Sequence, residues 1–213
     1  MSQANDLAYR ISAWNRGRKW SLFREVANVT PTTTVLDVGY QDVQLQAADN
    51  YLEEHYPWRG QITALGIEPP VTFLQRYPEI RVVTYDGSSG WPFADQSMDI
   101  VWSNAVLEHV GDRGAQVHFL REARRVGRQV FLTTPNRGFP FEVHSRMPFV
   151  HWLPKRGMDA SLRLVGKERF AGDYMRLLGG RELKSLLRDA GYSEYRLVRN
   201  RLGGPTLDFV IVA

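Results

Sequence analysis

Apolar residues along the chain follow two patterns, which predict alternating strands and helices. Runs of Val, Ile and Leu without strict alternation with polar residues are typical of strands covered on both faces in a parallel sheet. The two strands nearest the end of the chain could pair as a hairpin. The predicted strands are TVLDVG, ITALGIE, RVVTYD, MDIVWSN, RQVFLTT, YRLVRN and LDFVIVA. Helical spacing predicts one or two helices over residues 6–27, and further helices at about 47–56, 70–77, 112–126 and 180–192, the last ending at Gly191. This order of elements predicts an α/β fold.

Two segments stand apart from the alternating pattern. Residues 136–178 are rich in Arg, Pro, Phe and His and are predicted to be an irregular insertion, which acts as a lid or binding loop on the substrate side. Residues 1–30 are predicted to be an N-terminal helical cap. Within the cap, SAWNRGRKW could fold over the strand ends or pack as an amphipathic helix on the flank of the sheet. We expect residues 1–213 to form a single domain.

The composition narrows the function classes. With 213 residues, of which 43% are hydrophobic, the chain can bury one good core. It contains no run of about 18 apolar residues, so no membrane span is predicted, and its first residues lack the apolar segment of a secretory signal. Zero cysteines exclude disulfides and thiolate chemistry. We expect a cytoplasmic protein.

The charge balance is basic, with a net charge of +4 and a pI near 9.5. Such a balance is found in proteins that bind nucleic acid or anionic small molecules. The arginines are spread along the chain, and the densest cluster, REARR, lies inside a predicted helix. We therefore favour a small-molecule partner, anionic in character, over nucleic acid.

Acidic or amide residues follow four of the predicted strands, where an open parallel sheet binds its ligands. Asp37 ends the first strand, and it could accept backbone N–H bonds in the turn or reach an ammonium group of a ligand. Glu68 ends the second strand, where a carboxylate can accept both hydroxyls of a ribose, although a solvated charge is the alternative. Asp86 and Gly87 end the third strand, and Asn104 ends the fourth.

The loop after the first strand begins with a glycine but lacks the further glycines of a dinucleotide-binding turn. Tyr40, Gln41 and Asp42 follow Gly39, and their Cβ atoms prevent the close approach of backbone to a pyrophosphate. This argues against a nicotinamide- or flavin-dependent dehydrogenase. The side chains of Gln41, Asp42 or Gln44 could instead wrap a ligand without phosphates, or the loop has given up its ligand.

Three stretches in a fixed order carry a family resemblance. VLDVG is followed by DGSSGWPFADQSMDIVWSNAVLEHV at 86–110 and by REARRVGRQVFLTTPN at 121–136. Over about residues 34–136 the chain resembles class I S-adenosylmethionine-dependent methyltransferases, of the small type related to ubiquinone and menaquinone biosynthesis. The resemblance implies S-adenosyl-L-methionine as cofactor. It also implies a Rossmann-like, seven-stranded, mostly parallel sheet with helices on both faces and an antiparallel last strand.

The resemblance assigns roles to the strand-end residues. Asp86 is expected against the exocyclic amine of adenine, which donates two hydrogens, and the backbone around Asn104 is expected near the sulfonium. The predicted cofactor-binding residues are Asp37, Gly39, Tyr40, Gln41, Glu68, Asp86, Gly87 and Asn104.

Methyl transfer needs an aligned acceptor, exclusion of water and usually a base for the acceptor's proton. His144 is the first candidate for the base and His109 the second, although His109 could also be a structural histidine bonded to the backbone. Glu142, His144 and His151 together invite a metal site, but their spacing is not that of a helical zinc site, and no metal is predicted.

The insertion also carries apolar and cationic side chains for an acceptor. The apolar candidates are Phe139, Phe141, Phe149 and Trp152, and the cationic ones are Arg137, Arg146, Lys155 and Arg156. Arginines can bind a carboxylate or phosphate through two hydrogen bonds.

The sequence thus predicts methyl transfer, to oxygen in preference to nitrogen, on a small or medium-sized acceptor such as an anionic glycan precursor or natural product. Two alternatives remain open. One is a protein of this fold that acts as a cyclase or a binding protein without methyl transfer, and the other is an RNA methyltransferase.

Overall fold

A computed structural model of the chain describes residues 3–44, 49–142, 145, 147–172 and 175–213. The strands are β1 (Val35–Val38), β2 (Ile62–Gly66), β3 (Arg81–Thr84), β4 (Met98–Asn104), β5 (Gly127–Pro135), β6 (Phe141–Glu142), β7 (Met147–Pro148), β8 (Arg196–Arg201) and β9 (Thr206–Val212). Seven of them form one sheet in the order β3-β2-β1-β4-β5-β9-β8, and β6 pairs with β7.

The helices are α1 (Gln3–Ala27), α2 (Tyr51–His55), α3 (Phe73–Arg76), α4 (Arg113–Val126), α5 (Lys155–Leu164) and α6 (Gly180–Asp189). Short 3-10 turns lie at Arg59–Gln61, Leu107–His109, Val150–Trp152 and Glu168–Phe170. Among the described residues, no helix combines the length and the apolar character that crossing a membrane would need.

The chain forms two compact units, Met1–Trp102 with Val126–Gln129, and Ser103–Arg125 with Val130–Ala213. In the first unit, β1 pairs in parallel with β2 and with β4, and β2 pairs in parallel with β3. In the second unit, β9 is antiparallel to both β5 and β8. The predicted α/β fold, with a seven-stranded, mostly parallel sheet and an antiparallel last strand, is confirmed.

The core of the first unit is built on β1, whose four residues are all buried. A strand covered on both faces needs apolar side chains in both directions, which is why VLDV lacks alternation. From α1, the ring of Phe23 packs edge-on against Trp102 of β4, with ring centroids 4.9 Å apart. Trp20 contacts the same indole, whereas Trp14 is 45% exposed. The second half of α1 therefore packs against the sheet.

The second unit buries the apolar stripe of α6. Leu183, Leu186 and Leu187 have the i, i+3, i+4 spacing of one helix face and are all buried. Gly191 follows the end of the helix with a φ of +85°, a conformation that favours glycine, as the sequence predicts.

The prediction that residues 136–178 are irregular is wrong in two places. The described part of this insertion contains the β6–β7 pairing and the ten-residue helix α5. Among the α5 side chains that the structure describes, Met158 and Leu162 alone are buried, and they pack against Val150, Phe170 and Met175. A stripe of two apolar residues, preceded by Gly157, is too short to register as helical periodicity.

Two predicted helices are also shorter than expected. The prediction at 70–77 corresponds to α3, which covers only Phe73–Arg76, and the prediction at 47–56 corresponds to α2. Residues 45–48, where the second prediction begins, lie outside the described residues. The helix α3 begins late because Asp42 receives the backbone N–H groups of Thr72 and Phe73.

Two carboxyl groups lie together in the interior of the first unit. Asp37 on β1 and Glu53 on α2 are both buried, and their side chains share a hydrogen bond. Burial, followed by the charge of Glu53, raises the pKa of Asp37 well above its ordinary value. Burial also raises the pKa of Glu53, while the Asp37 hydrogen bond and the charge of Arg16 oppose that increase. We assign the retained proton to Asp37 and the anionic charge to Glu53.

This pair makes stability depend on pH. Because the folded-state pKa of Asp37 lies above its unfolded value, its contribution is complete below the ordinary carboxyl pKa of about 4 and is lost as pH rises through the raised value. We expect the free energy of unfolding to fall over that window by up to about 1.4 kcal/mol per pH unit for the one retained proton. Urea unfolding between mildly acidic and mildly alkaline pH measures it.

The variant Asp37→Asn keeps a donor toward Glu53 but cannot titrate at that position. The free energy of unfolding of this variant should therefore fall by less than that of wild type over the same pH window. Glu194→Gln, a substitution of an exposed carboxylate, is the matched control and should follow the wild-type profile. Parallel profiles for wild type and Asp37→Asn would show that the pair holds no extra proton.

Candidate functional site

In the first unit, two predicted cofactor residues follow neighbouring strands at the same offset. Gly66 of β2 is in register with Thr84 of β3, and both strands are parallel. Glu68 and Asp86 each stand two residues beyond that pair, and both are exposed. The strand register therefore brings the two acidic residues to one edge of the sheet.

The turn after β1 begins at Gly39, which has a φ of +97° and donates its N–H to the carbonyl of Leu65 at 2.9 Å. Tyr40 then crosses to β2. Its hydroxyl donates to the carbonyl oxygen of Glu68 at 2.6 Å, and its ring lies so close to Gly66 that a Cβ there would be 2.5 Å from Tyr40 Cε1. The Tyr40 ring also packs against Phe73, with centroids 4.6 Å apart.

The next two residues of this loop are also held by the protein itself. Gln41 donates its backbone N–H to Asn50 Oδ1 at 2.9 Å, and its carbonyl accepts from Asn50 Nδ2 at 2.8 Å. Asp42 Oδ1 accepts the N–H groups of Thr72 at 2.7 Å and Phe73 at 2.9 Å. The Phe73 bond is the main cause of a lowered pKa at Asp42. The carboxylate of Asp42 thus caps α3, and the altered loop is built into the fold.

Asp37, the remaining predicted residue of this strand end, points to Glu53 in the interior. Among the described residues, Glu53 Oε1 is buried without a hydrogen-bond partner. Glu53 is a residue that sequence reasoning missed, since nothing in the sequence indicates that α2 directs this carboxylate toward β1.

Asp86 organises the turn that follows β3. Its Oδ1 accepts the N–H groups of Ser88 and Ser89 and the hydroxyl of Ser89, at 2.7–2.9 Å. These bonds, led by the Ser89 N–H, lower the pKa of Asp86 to about 2. Gly87 has a φ of +78°, and a Cβ added there would meet Ile67 at 3.1 Å. Glycine is therefore required next to this carboxylate.

In the second unit, the chain turns sharply after β4. Asn104 Oδ1 accepts the hydroxyl of Thr133 at 2.7 Å, and Ala105 donates its N–H to the carbonyl of Thr133 at 3.0 Å. Ala105 has a φ of +60°, which is strained for a residue with a Cβ. Two bonds to β5 hold this strained turn directly after a predicted site residue, and such strain is concentrated at functional sites.

His109 ends the 3-10 turn that follows, beside a buried carboxylate. Its Nε2 lies 3.9 Å from Glu108 Oε1, and about a quarter of its side chain is exposed. Glu108 is fully buried, and its Oε2 accepts the hydroxyl of Thr134 at 3.1 Å. The sequence analysis proposed His109 as a site residue but not Glu108, although Glu108 is its neighbour in the Leu-Glu-His stretch.

The Glu108 segment is tied to residues near the end of the insertion. Arg176 donates its backbone N–H to the Glu108 carbonyl at 2.7 Å. Gln116 Nε2, on α4, bonds the carbonyls of both Leu107 and Arg176 at 3.2 Å. The backbone that presents His109 is therefore fixed from two sides.

The insertion presents aromatic side chains and one buried histidine. Phe149 and Trp152 are about half exposed and contact each other, with centroids 4.8 Å apart. His151 is buried, and its Nε2 lies 2.9 Å from the carbonyl of Phe139. Since a carbonyl only accepts, Nε2 donates to it, while Nδ1 has no hydrogen-bond partner among the described residues.

Other predicted residues of the insertion lie outside the described part. His144, the first candidate base, and the cationic Arg146 are among them. The metal pattern of Glu142, His144 and His151 therefore has one member outside it. Within the described part, no group of three metal-binding side chains is found.

Comparisons with known proteins agree with this architecture. Residues 36–130 match a family model described as a methyltransferase domain. No curated protein matches the chain. Among solved structures, a SAM-dependent methyltransferase from Aquifex aeolicus is 15% identical with a TM-score of 0.56, and the match covers 92% of this chain and 88% of that one.

Two further structures are similar. A SAM-dependent methyltransferase from Thermotoga maritima, described as a possible histamine N-methyltransferase, has a TM-score of 0.60 at 15% identity and covers 97% of this chain and 90% of its own. The 1,6-didemethyltoxoflavin-N1-methyltransferase of Burkholderia thailandensis, solved with 1,6-didemethyltoxoflavin and S-adenosylhomocysteine, has a TM-score of 0.56 at 16% identity and covers 96% and 76%. Likenesses at such identities establish the fold.

The resemblance predicted from the sequence is therefore confirmed. The chain has the fold of class I S-adenosylmethionine-dependent methyltransferases, and its residues 36–130 match the methyltransferase-domain family, whose cofactor is S-adenosylmethionine.

Proposed function

We propose that the chain transfers a methyl group from S-adenosylmethionine to a small or medium-sized acceptor, at oxygen in preference to nitrogen. The observation that carries the proposal is the equal offset of Glu68 and Asp86 beyond the register pair Gly66 and Thr84. Both carboxylates lie at one edge of a parallel sheet, in a segment that matches a methyltransferase domain. One can bind the ribose and the other the adenine of an adenosine.

The residues of this edge have the donors and acceptors that the cofactor needs. The Glu68 carboxylate has no hydrogen bond among the described residues, and its two oxygens can accept both ribose hydroxyls. Asp86, with its pKa lowered to about 2, stays ionised as an acceptor for the adenine amine. When bound, S-adenosylmethionine supplies a methyl group on a positively charged sulfur, which a nucleophilic oxygen or nitrogen can displace.

His109 is the described residue best suited to take the acceptor's proton. Its ring is partly exposed and lies beside the buried Glu108 carboxylate, with Nε2 3.9 Å from Glu108 Oε1. The backbone bonds that fix the Glu108 segment would hold the ring in place. His144 stays a prediction from the sequence for the same role. The exposed rings of Phe149 and Trp152 are proposed as part of the apolar surface that excludes water from the acceptor.

One observation favours a second candidate, a protein of this fold that binds without methyl transfer. In the loop after β1, the backbone N–H and carbonyl of Gln41 and the carboxylate of Asp42 are used in internal hydrogen bonds. Binding of S-adenosylhomocysteine by calorimetry, together with no methyl transfer from labelled S-adenosylmethionine to any acceptor in a broad panel, would favour this candidate.

Glu68→Gln tests the cofactor site. The change keeps the shape of the side chain but removes the charge that strengthens its bonds to hydroxyls, and bonds to charged groups contribute about 1.5–3 kcal/mol. We expect the Kd of S-adenosylhomocysteine to rise roughly 10- to 100-fold by isothermal titration calorimetry. Asp86→Asn should also raise the Kd, with a drop in thermal stability because its turn loses charged acceptor bonds.

Glu79→Gln is the matched control for Glu68→Gln. Glu79 is an exposed glutamate of the same unit, whose recorded ion pair is with Arg59 at 3.6 Å. Its replacement should leave the Kd unchanged. An unchanged Kd in Glu68→Gln as well would remove the adenosine site from this edge.

Tyr40→Phe tests whether the altered loop supports the cofactor. Losing the hydroxyl bond to the Glu68 carbonyl should loosen the segment that presents the carboxylate. A neutral hydrogen bond contributes about 1 kcal/mol, so we expect the Kd of S-adenosylhomocysteine to rise severalfold. Tyr195→Phe is the control and should bind as wild type does. Equal affinities in all three proteins would mean that this bond plays no part in binding.

His109→Asn tests the base. With an acceptor identified in the panel, single-turnover methyl transfer should slow by about 10²–10⁴-fold, the usual contribution of general base catalysis. The Kd of S-adenosylhomocysteine should stay within a factor of two or so, since the change leaves the adenosine contacts intact. His144→Asn is made in parallel. If it alone slows transfer, the base is His144 and the assignment of His109 is wrong.

A further inference from the structure

A cavity of about 340 Å³ in the second unit is lined by three cationic side chains. Arg181 and Lys184 come from the first turns of α6, and Arg199 comes from β8. Phe209 of β9 and Asn136, the residue after β5, form other parts of its lining. The cavity therefore lies at the carboxyl end of β5, where an open sheet of this type places its ligands.

No carboxylate lines this cavity, and its three cations have no ion pair among the described residues. The acidic side chain nearest in sequence, Glu182, is engaged elsewhere. It accepts the N–H of Gly179 at 2.8 Å and lies 3.6 Å from Arg137. Three like charges around one concave space repel each other, and an anion that enters the space relieves the repulsion.

The backbone brings the three cations into one space. Positions 181 and 184 are three residues apart, so their side chains lie on the same face of α6. Arg199 faces Phe209 in the antiparallel pairing of β8 with β9. Gly180 allows the helix to begin against that ring, since a Cβ there would be 3.2 Å from Phe209 Cζ. The positive end of the helix dipole adds to the charge of the side chains.

Asn136, another part of the lining, is held in place by hydrogen bonds. Asn136 donates its side-chain N–H to the carbonyl of Thr206 at 2.8 Å and accepts the N–H of Gly138 at 3.0 Å. Its own backbone N–H bonds the carbonyl of Leu207 at 3.0 Å. A concave space with part of its lining held by hydrogen bonds and three exposed cations around it suits a compact anion rather than an extended chain of charges.

We infer that this cavity binds a phosphate or diphosphate group, carried by the methyl acceptor. The link to the acceptor rests on the proposed methyl transfer, but binding of the anion does not. Two arginines offer pairs of N–H donors that match phosphate oxygens, and the lysine adds a third charge. This number of cations exceeds what a single carboxylate would need. Arg137, one of the four cationic candidates predicted from the sequence, lies 3.6 Å from Glu182 and does not line this cavity.

Titration calorimetry with inorganic pyrophosphate tests the inference on wild type and on Arg181→Gln, Lys184→Gln and Arg199→Gln. We expect wild type to bind in the micromolar to millimolar range and each variant to bind roughly tenfold more weakly, with steep weakening at high salt. Arg196→Gln is the matched control, an exposed arginine on the same strand that does not line the cavity. It should bind as wild type does. No heat with wild type at millimolar pyrophosphate would overturn the site.

The same proteins distinguish the source of the phosphate. Binding of vesicles containing phosphatidylglycerol, with no binding of pyrophosphate, would overturn the inference in favour of a membrane-surface patch. Binding of a short single-stranded RNA that Arg196→Gln and Arg199→Gln weaken equally would overturn it in favour of a spread basic face. Pyrophosphate binding that is lost only in the three cavity variants supports it.

The affinity for S-adenosylhomocysteine separates this inference from the proposed function. We expect the three cavity variants to bind S-adenosylhomocysteine as wild type does, because the predicted adenosine contacts are in the first unit. If wild type binds pyrophosphate as expected and fails to bind S-adenosylhomocysteine, the proposed function falls and the anion site stands. The opposite pair of results removes the anion site alone.

Discussion

The register between β1 and β2 is the constraint on which the position of Glu68 at the end of the sheet depends. The bond from the Gly39 N–H to the Leu65 carbonyl continues this pairing one residue beyond β1. A slip by one residue would turn every side chain of the strand to the opposite face. With this register fixed, the Tyr40 hydroxyl meets the Glu68 carbonyl. The separate pairing of β2 with β3 then brings Glu68 to the same level as Asp86.

The same register explains how the chain manages without a second glycine in its first loop. In a glycine-rich turn, the missing Cβ makes room for the ligand. Here the missing Cβ is on the opposite strand, at Gly66, and the ring of Tyr40 uses the room. Phe73 supports the ring from α3, and Asp42 holds the start of that helix. The neighbouring strand and helix therefore accommodate a tyrosine at a position where a glycine-rich turn would have a glycine.

The sequence predicts features whose cause is local. The strand β4 matches its predicted bounds, because a short apolar run without alternation is typical of a strand covered on both faces. The sequence does not predict α5, because Met158 and Leu162 are the only buried apolar residues among its described side chains. The helix is stabilised by packing on distant residues. Glu53 and the cavity cations escape for a related reason. Their contacts depend on how helices and strands pack together, and the spacing of residues along the chain does not predict that packing.

The basic composition illustrates the same limit for charge. A net charge of +4 predicts an anionic partner but does not locate it. Arg113 lies 2.5 Å from Asp189, so its charge is largely neutralised within the surface, whereas Arg199 faces a cavity without a carboxylate. The field at a site depends on the cations that have no counter-charge nearby, since paired charges act as dipoles whose field decays quickly. The pairing state of each arginine, more than their number, therefore determines where this protein attracts an anion.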